Sequence, residues 1–489
     1  MSAFSDMLSN FIEQKNIKIF SLARFCELDR STMYKIINGK RNAPSIEILD
    51  KIAQYLILTP AEKIKLKEAW EITKIGPETY YKRKSVENFI LNFPEHPNSD
   101  HTDCSFSLEP TYDHTSADCV SLRSQQHINR YVHQMILSEA ARENGKIALF
   151  LQPDYKFLFS LLASLPSSCR LDISHIICIS NEFIFTDDHQ LVNLKNIREV
   201  FPLYMTGINY TLWYYYDRIQ SHYHNFNIFP CMILTSDSAL LCTSDYQNGL
   251  FFHSAETVNM LWNIYISYQE QCSMLFNPAV ITLENYAAIL TNMYNPAFSA
   301  GTVIGIQPEI CLTPFFTGKL LQDIFNHELP DAQNILAMAE QAFLINMDRL
   351  NSHQFFIYST EEGLMQFARS GLTEEIPEIF YHPLTPEQRI EVLSKVRCHC
   401  LSGAYRILQK PLNHLPRNLH LCIRGTAASM IFQNNNSQPL VLDIKENRLI
   451  NILRDYLENM EESRFYTIEE SVELIDQTIK EIQQADTIK

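Results

Sequence analysis

The residues best equipped for chemistry lie together in DRSTMYKIINGKR, positions 29–41. Arg30, Ser31, Thr32, Tyr34 and Lys35 are interleaved with Met33, Ile36 and Ile37 at helical spacing. One side of such a helix is apolar and packs; the other presents hydroxyls and cations. A guanidinium bonds bidentately to a guanine edge, Ser and Thr serve base edges or phosphates, and an open helix N-terminus favours phosphate. Asn38, Lys40 and Arg41 follow in a loop, where cations clamp a phosphate backbone. The 489-residue chain carries a formal charge of −16. Its first 84 residues hold 15 Lys and Arg against 10 Asp and Glu, a balance of +5 that leaves −21 on the remaining 405. A basic head on an acidic body confines a polyanionic partner, double-stranded DNA, to one end.

Other constellations are poorer. Twelve glycines include no G-x-G-x-x-G and no G-x-x-x-x-G-K-S/T cradle, and G-x-S-x-G, H-E-x-x-H and a calcium loop are missing too. His101, Cys104, His114 and Cys119 are spaced H-x2-C-x9-H-x4-C, which matches no standard zinc site and reads as the composition of a polar linker. Cys398 and Cys400 fall on different faces of a helix, as packed or incidental thiols do. No metal and no cofactor are expected. The run YTLWYYYDR places Trp213, Tyr214, Tyr215 and Tyr216 around a helix, close to His222 and His224. Trp213, Tyr215 and Tyr216 are the weak candidates for an aromatic-lined effector pocket, against the plainer reading of core packing. Twelve Cys without a C-x-x-C pair, a start MSAFSDMLSN with no basic-then-apolar region, and no apolar run near membrane-spanning length predict reduced thiols, a cytoplasmic location and no membrane partner.

The elements that would carry 29–41 are short helices. FSDMLSNFIEQKN repeats apolar residues at i, i+3, i+4, i+7 and i+8; Ser21 reads as the cap of the next helix; Asp29 caps RSTMYKIIN and Gly39 stops it; Pro44–Ser45 opens SIEILDKIAQYL. The stretch SLARFCELDRSTMYKIINGKRNAPSIEILDKIAQYL resembles the lambda-repressor-like, Cro/XRE-type helix-turn-helix domain, over roughly residues 4–58. The resemblance implies that the helix at 30–38 enters the major groove and that G-K-R-x-x-P at 39–44 is the family's usual tail. It departs at Glu27, where a turn Gly is common, and at Ile37, which replaces a frequent Glu. The alternative is a helix-turn-helix fold turned into a protein-interaction module.

Beyond the helix-turn-helix domain at 1–70, a helical connector at 71–92 breaks at Gly76–Pro77 and carries Tyr80, Tyr81, Lys82, Arg83 and Lys84, which read as a solvated helix end or a contact to flanking DNA. Residues 93–125 read as a linker. From there helices alternate with strands such as KIALFLQ, DISHIICIS and FFIYS, and FPCMILTSDSALLCTS reads as a hairpin. The pattern ending in a hairpin and a helix occurs twice, which predicts two α/β subdomains, 126–277 and 278–489, as a duplicated pseudo-symmetric unit or as chance agreement of short elements. The fold class is thus an all-α helix-turn-helix head with a large α/β or α+β body. A duplicated unit of this kind resembles phospholipase-D-like folds, some of which serve regulators as sensor domains. Their chemistry needs H-x-K-x4-D, and none of the 16 His is followed by Lys two positions on, so the resemblance implies a sensor and not a hydrolase.

These readings combine into a transcription regulator that is not an enzyme. Its head binds a two-fold symmetric operator as a homodimer, with recognition helices ~34 Å apart, and its body dimerises and senses a small molecule or peptide. The alternatives are an enzyme of unrecognised activity with a DNA-binding head, and a peptide-pheromone-type receptor whose body would be an all-helical repeat.

Overall fold

The computed structural model describes residues 2–41, 44–94, 118–166, 168–219, 227–286, 288–289, 301–316, 318–417, 419–434 and 438–487. His101, Cys104, His114, His222 and His224 lie outside the described residues. The chain divides into two compact units: a head, Met1–Ser85 with Thr186–Leu191, and a body, Val86–Phe185 with Val192–Lys489.

The head is all helix. Ser2 and Ser5 close a capping box at the start of α1, Ala3–Gln14. Helix α2, Ile19–Phe25, begins at Lys18 and not at the expected Ser21, which lies inside it. Ile17 and Ile19 pack against the head core, so apolar burial extends this helix past its polar start signal. Then come α3, Arg30–Ile37, capped by Asp29, and α4, Ile46–Tyr55. Helix α5, Pro60–Ile75, starts on a Thr59–Glu62 capping box with Pro60 in its first turn. It stops at Gly76, and α6, Pro77–Leu91, follows. Phe4, Leu8, Leu22, Met33, Ile52 and Leu66 form the buried centre, each contributing about 1.5–3 kcal/mol by leaving water. Two bonds fasten α5 across it: Trp70 Nε1 donates to the Pro44 carbonyl at 2.6 Å, and Phe4 N donates to Thr73 Oγ1 at 3.0 Å.

The body contains two mixed sheets. The first takes its elements in the order β1 Cys119–Leu122, α7 Gln125–Ala140, β2 Gly145–Phe150, α8 Lys156–Ala163, β3 Leu171–Ser180, α9 Val192–Met205, β4 Asn209–Asp217, β5 Cys231–Leu234, β6 Ala239–Cys242, β7 Gly249–Phe252, α10 Ala255–Gln269 and β8 Ser273–Met274. The second is built from β9 Phe276–Val280, β10 Val303–Ile306, α11 Lys319–Ile324, α12 Ala332–Asn351, β11 Phe355–Thr360, α13 Glu361–Ser370, α14 Pro386–Leu401, β12 Tyr405–Leu408, β13 His420–Arg424, β14 Ala427–Gln433, β15 Pro439–Ile444 and α15 Asn447–Glu458, with α16 Ile468–Thr487 at the end.

The two sheets share one topology. Spatial order is β1-β7-β6-β5-β2-β3-β4-β8 in the first and, read from its other edge, β9-β15-β14-β13-β10-β11-β12 in the second. In each, three parallel strands joined by helical crossovers lie beside three antiparallel hairpin strands and one N-terminal edge strand, and the first sheet adds β8, antiparallel to β4. Strand β9 begins ahead of the 277/278 boundary read from sequence, and β1 falls within the stretch read as linker. A cluster of rings joins the two sheets: Phe201 of α9 lies 5.5 Å from Phe276 of β9 and 4.8 Å from Phe93, which is itself 6.1 Å from Phe432 of β14.

One expectation about the body is overturned. Trp213, Tyr214, Tyr215 and Tyr216 are in β4, not in a helix, and β4 pairs parallel to β3 from Asp172↔Asn209 to Ser180↔Asp217. Period two, not 3.6, separates these side chains. Trp213 and Tyr215 pack on the cluster of Val258, Leu261 and Tyr265 in α10. The Tyr216 hydroxyl bonds to Glu446, and Arg448 lies over its ring at 5.0 Å. The cavity found in the second sheet is lined by other residues, among them Gln307, Glu375 and His420. Cys398 is exposed and Cys400 buried on α14, on different faces as expected.

Candidate nucleic-acid interface

Helix α3 is held by its apolar side. Met33, Ile36 and Ile37 are buried in the head core. Arg30, Ser31, Tyr34 and Lys35 are exposed on α3, as are Asn38, Lys40 and Arg41 after it. At the first turn Asp29 Oδ1 accepts from Thr32 N at 2.8 Å. The Thr32 hydroxyl donates to the other Asp29 oxygen and accepts from Arg41 Nη1 at 2.9 Å. The bond from Thr32 is the main reason the Asp29 carboxyl stays below the usual carboxylate range.

That network corrects the expected place of Thr32. It is buried, with 9% of its surface exposed, because its hydroxyl is drawn into the Asp29 cap and roofed by Arg41. Its hydroxyl is therefore a positioning group and not a free donor. The Arg41 guanidinium thus reaches back to the first turn of α3, although its backbone follows the end of that helix. Arg30 lies over the Tyr34 ring at 5.4 Å, with Nη2 3.4 Å from the phenol oxygen, so the pair presents one shaped surface. Two amides tie the loop back: Lys40 N and Arg41 N donate to the Lys35 carbonyl at 2.8 and 3.2 Å. Asn38 is the C-cap of α3, and Gly39 takes φ +67° beyond it.

The turn ahead of α3 is built around Glu27 at φ +57°, a conformation that glycine adopts without strain. Lys51 pairs with the Glu27 carboxylate at 3.1 Å. In the connector, Tyr80 is buried with its hydroxyl donating to Glu68 at 3.0 Å, and Tyr81 stacks on His189 at 4.2 Å. Lys82 pairs with Glu78 at 3.1 Å. Those tyrosines hold the head together. What sequence reasoning missed is the Asp29–Thr32–Arg41 chain. The signal was present in D-x-x-T, a cap followed three residues later by a hydroxyl.

Residues 7–68 match the family of the Cro/C1-type helix-turn-helix DNA-binding domain, so the head is a DNA-binding domain of that type. No curated protein matches the chain in sequence. Among solved structures it is similar to TrmBL2, an archaeal chromatin protein described as showing a novel mode of DNA binding, at 10% identity and TM-score 0.21, over 50% of this chain and 84% of that one. It is also similar to phosphatidylserine synthase of Haemophilus influenzae Rd KW20, at 10% identity and TM-score 0.23 over 83% and 98%, and to polyphosphate kinase of Porphyromonas gingivalis, at 9% and 0.21 over 75% and 56%. Among the described residues no helix is long and apolar enough to cross a membrane.

Proposed function

We propose that the chain is a homodimeric transcription regulator that reads a two-fold symmetric operator with α3 and answers to a small molecule or peptide bound by its body. The observation that carries the reading is the outer face of α3: Arg30, Ser31, Tyr34 and Lys35 exposed within a matched DNA-binding domain. Arg30 and Lys35 reach base edges, while Asn38, Lys40 and Arg41 hold phosphates on either side. Catalysis is not part of this reading, since the sequence has no H-x-K-x4-D in either half. The mixed sheets exclude the all-helical repeat body of the pheromone-receptor alternative.

Self-association is supported by α10. Its Met260, Ile264 and Tyr268, one turn apart, are 52%, 38% and 47% exposed, and Glu256 is the one charged residue between Ala255 and Gln269. Two bodies this acidic meet most readily where neither carries charge, so a second copy fits this face. The counterpart helix α15 exposes polar Asn447 and Asn451 instead.

The test begins by selecting binding sites from random DNA with the full chain and measuring affinity by fluorescence anisotropy. Arg30→Ala and Lys35→Ala are expected to lose affinity by about 1–3 kcal/mol each, with unchanged circular dichroism. Selected sites should be two-fold symmetric. Sequence-specific binding retained in both variants would overturn the assignment of α3.

A further inference from the structure

Glu309, Glu374 and His420 are far apart in sequence and meet in the body. Glu309 follows β10, Glu374 lies in the loop after α13, and His420 opens β13. One ligand atom from each lies within 4.8 Å of the other two. Glu309 and His420 are buried, with 6% and 8% of their surface exposed, while Glu374 reaches solvent.

The surrounding structure fixes the two glutamates. Thr360 Oγ1 donates to the Pro308 carbonyl at 2.5 Å, and Gly363 brings α13 so close that a Cβ there would lie 2.3 Å from that carbonyl and 2.5 Å from Glu309 Cα. Glu375 fixes the loop that carries Glu374: its Oε2 accepts from Leu312 N at 2.8 Å, and its Oε1 from Gln307 Nε2 at 3.0 Å. Gly371 turns that loop at φ +69°, where a Cβ would lie 2.5 Å from the Leu384 carbonyl.

Within this frame Glu309 Oε2 is buried and accepts no hydrogen bond. It faces His420 Nε2 at 3.3 Å, longer than the ~2.7–2.9 Å of a charge-assisted hydrogen bond. Ligand atoms around a tetrahedral zinc ion, with bonds of ~2.0–2.2 Å, stand roughly 3.3–3.5 Å apart. We propose that Glu309, Glu374 and His420 bind one divalent first-row transition ion, with the position beside exposed Glu374 left open to water. Two carboxylates and one imidazole suit Zn²⁺ or Mn²⁺ and disfavour thiolate-seeking ions. The proposal rests on the body alone and stands apart from the reading of the head.

The protonation of the cluster agrees with this. Burial, and then the neighbouring Glu309 carboxylate, push Glu374 up to about 8. Burial lowers His420, but the carboxylates of Glu309, Glu375 and Glu374 together raise the imidazole overall. Glu375 and Arg417 are the other charged groups that act on these residues.

The test uses the full chain, stripped with EDTA, desalted, and titrated calorimetrically with ZnCl2 and MnCl2. One ion per chain at micromolar affinity or tighter is expected. Glu374→Gln, at an exposed position, should weaken binding roughly tenfold or more while leaving the unfolding midpoint of the metal-free chain unchanged. Co²⁺ should give visible d–d absorption without a thiolate charge-transfer band. No bound ion, a thiolate band, or undiminished affinity in Glu374→Gln would each overturn the site.

Discussion

Glu27 and Gly39 bracket α3, both at positive φ, +57° and +67°. Only glycine holds that conformation freely, and another residue gives up about 1–2 kcal/mol. Gly39 is also crowded: a Cβ would lie 3.0 Å from Ser5 Oγ and 3.3 Å from Ser2 N, at the capped start of α1. Gly39→Ala should therefore destabilise the head by about 1–2 kcal/mol. Glu27→Gly should stabilise it by up to about 1 kcal/mol, less whatever the exposed pair with Lys51 contributes. Urea unfolding followed by circular dichroism checks both; equal midpoints would mean that neither position constrains the turn. Both residues were legible, Glu27 as a departure from a family pattern and Gly39 as a helix stop. The burial of Thr32 was not. Periodicity places residues on a helix surface, but a hydroxyl pulled inward by a cap is decided by the geometry of Asp29 and Arg41.

At the level of elements, a local pattern was readable wherever one face was buried and the other wet. Helices α1, α3 and α4 follow from such alternation, while the β5–β6 hairpin, buried along almost its whole length, is marked in sequence by the polar turn Ser236–Asp237–Ser238. Strand β4 does not: its burial alternates at Tyr210, Leu212 and Tyr214, but aromatics occupy both of its faces and mask that alternation in the sequence. Four aromatics in a row fit either period. The three acidic and imidazole groups proposed as a metal site were equally hidden, since β10, the loop after α13 and β13 are brought together only by sheet order. Helix α10 shows the converse case, an apolar pattern with more apolar residues than the fold covers. Its core contacts use Val258, Leu261 and Tyr265, which leaves Met260, Ile264 and Tyr268 outside. The double variant Met260→Asp, Ile264→Asp should be monomeric by light scattering and should bind a symmetric operator far more weakly, with helicity retained. A variant that stays dimeric would place the interface elsewhere.

The whole molecule sets a balance between residues 1–84, at +5, and the remaining 405 residues, at −21. Charges more than about 10 Å apart are largely screened at 0.1 M salt, so the body's repulsion of DNA is strongest in dilute buffer. The head's attraction works through counterion release, and log K falls with log salt by about 0.9 for each phosphate neutralised. The two terms have opposite salt dependence, so the acidic body should flatten the slope. Lys40 separates them from base reading. It is exposed beyond the end of α3, with its amide tied to the Lys35 carbonyl. Lys40→Ala removes one phosphate contact per subunit, so a dimer should lose a salt slope of about 2. Affinity should fall alike for operator and random DNA. Arg30→Ala should do the reverse, leaving the slope near that of the parent after its own charge is allowed for, and relaxing the sequence preference at one position of each half-site. Anisotropy titrations at several salt concentrations, on operator and on scrambled DNA, measure both quantities together. If Lys40→Ala changed specificity while Arg30→Ala changed only the slope, the division between the face of α3 and its following loop would be inverted.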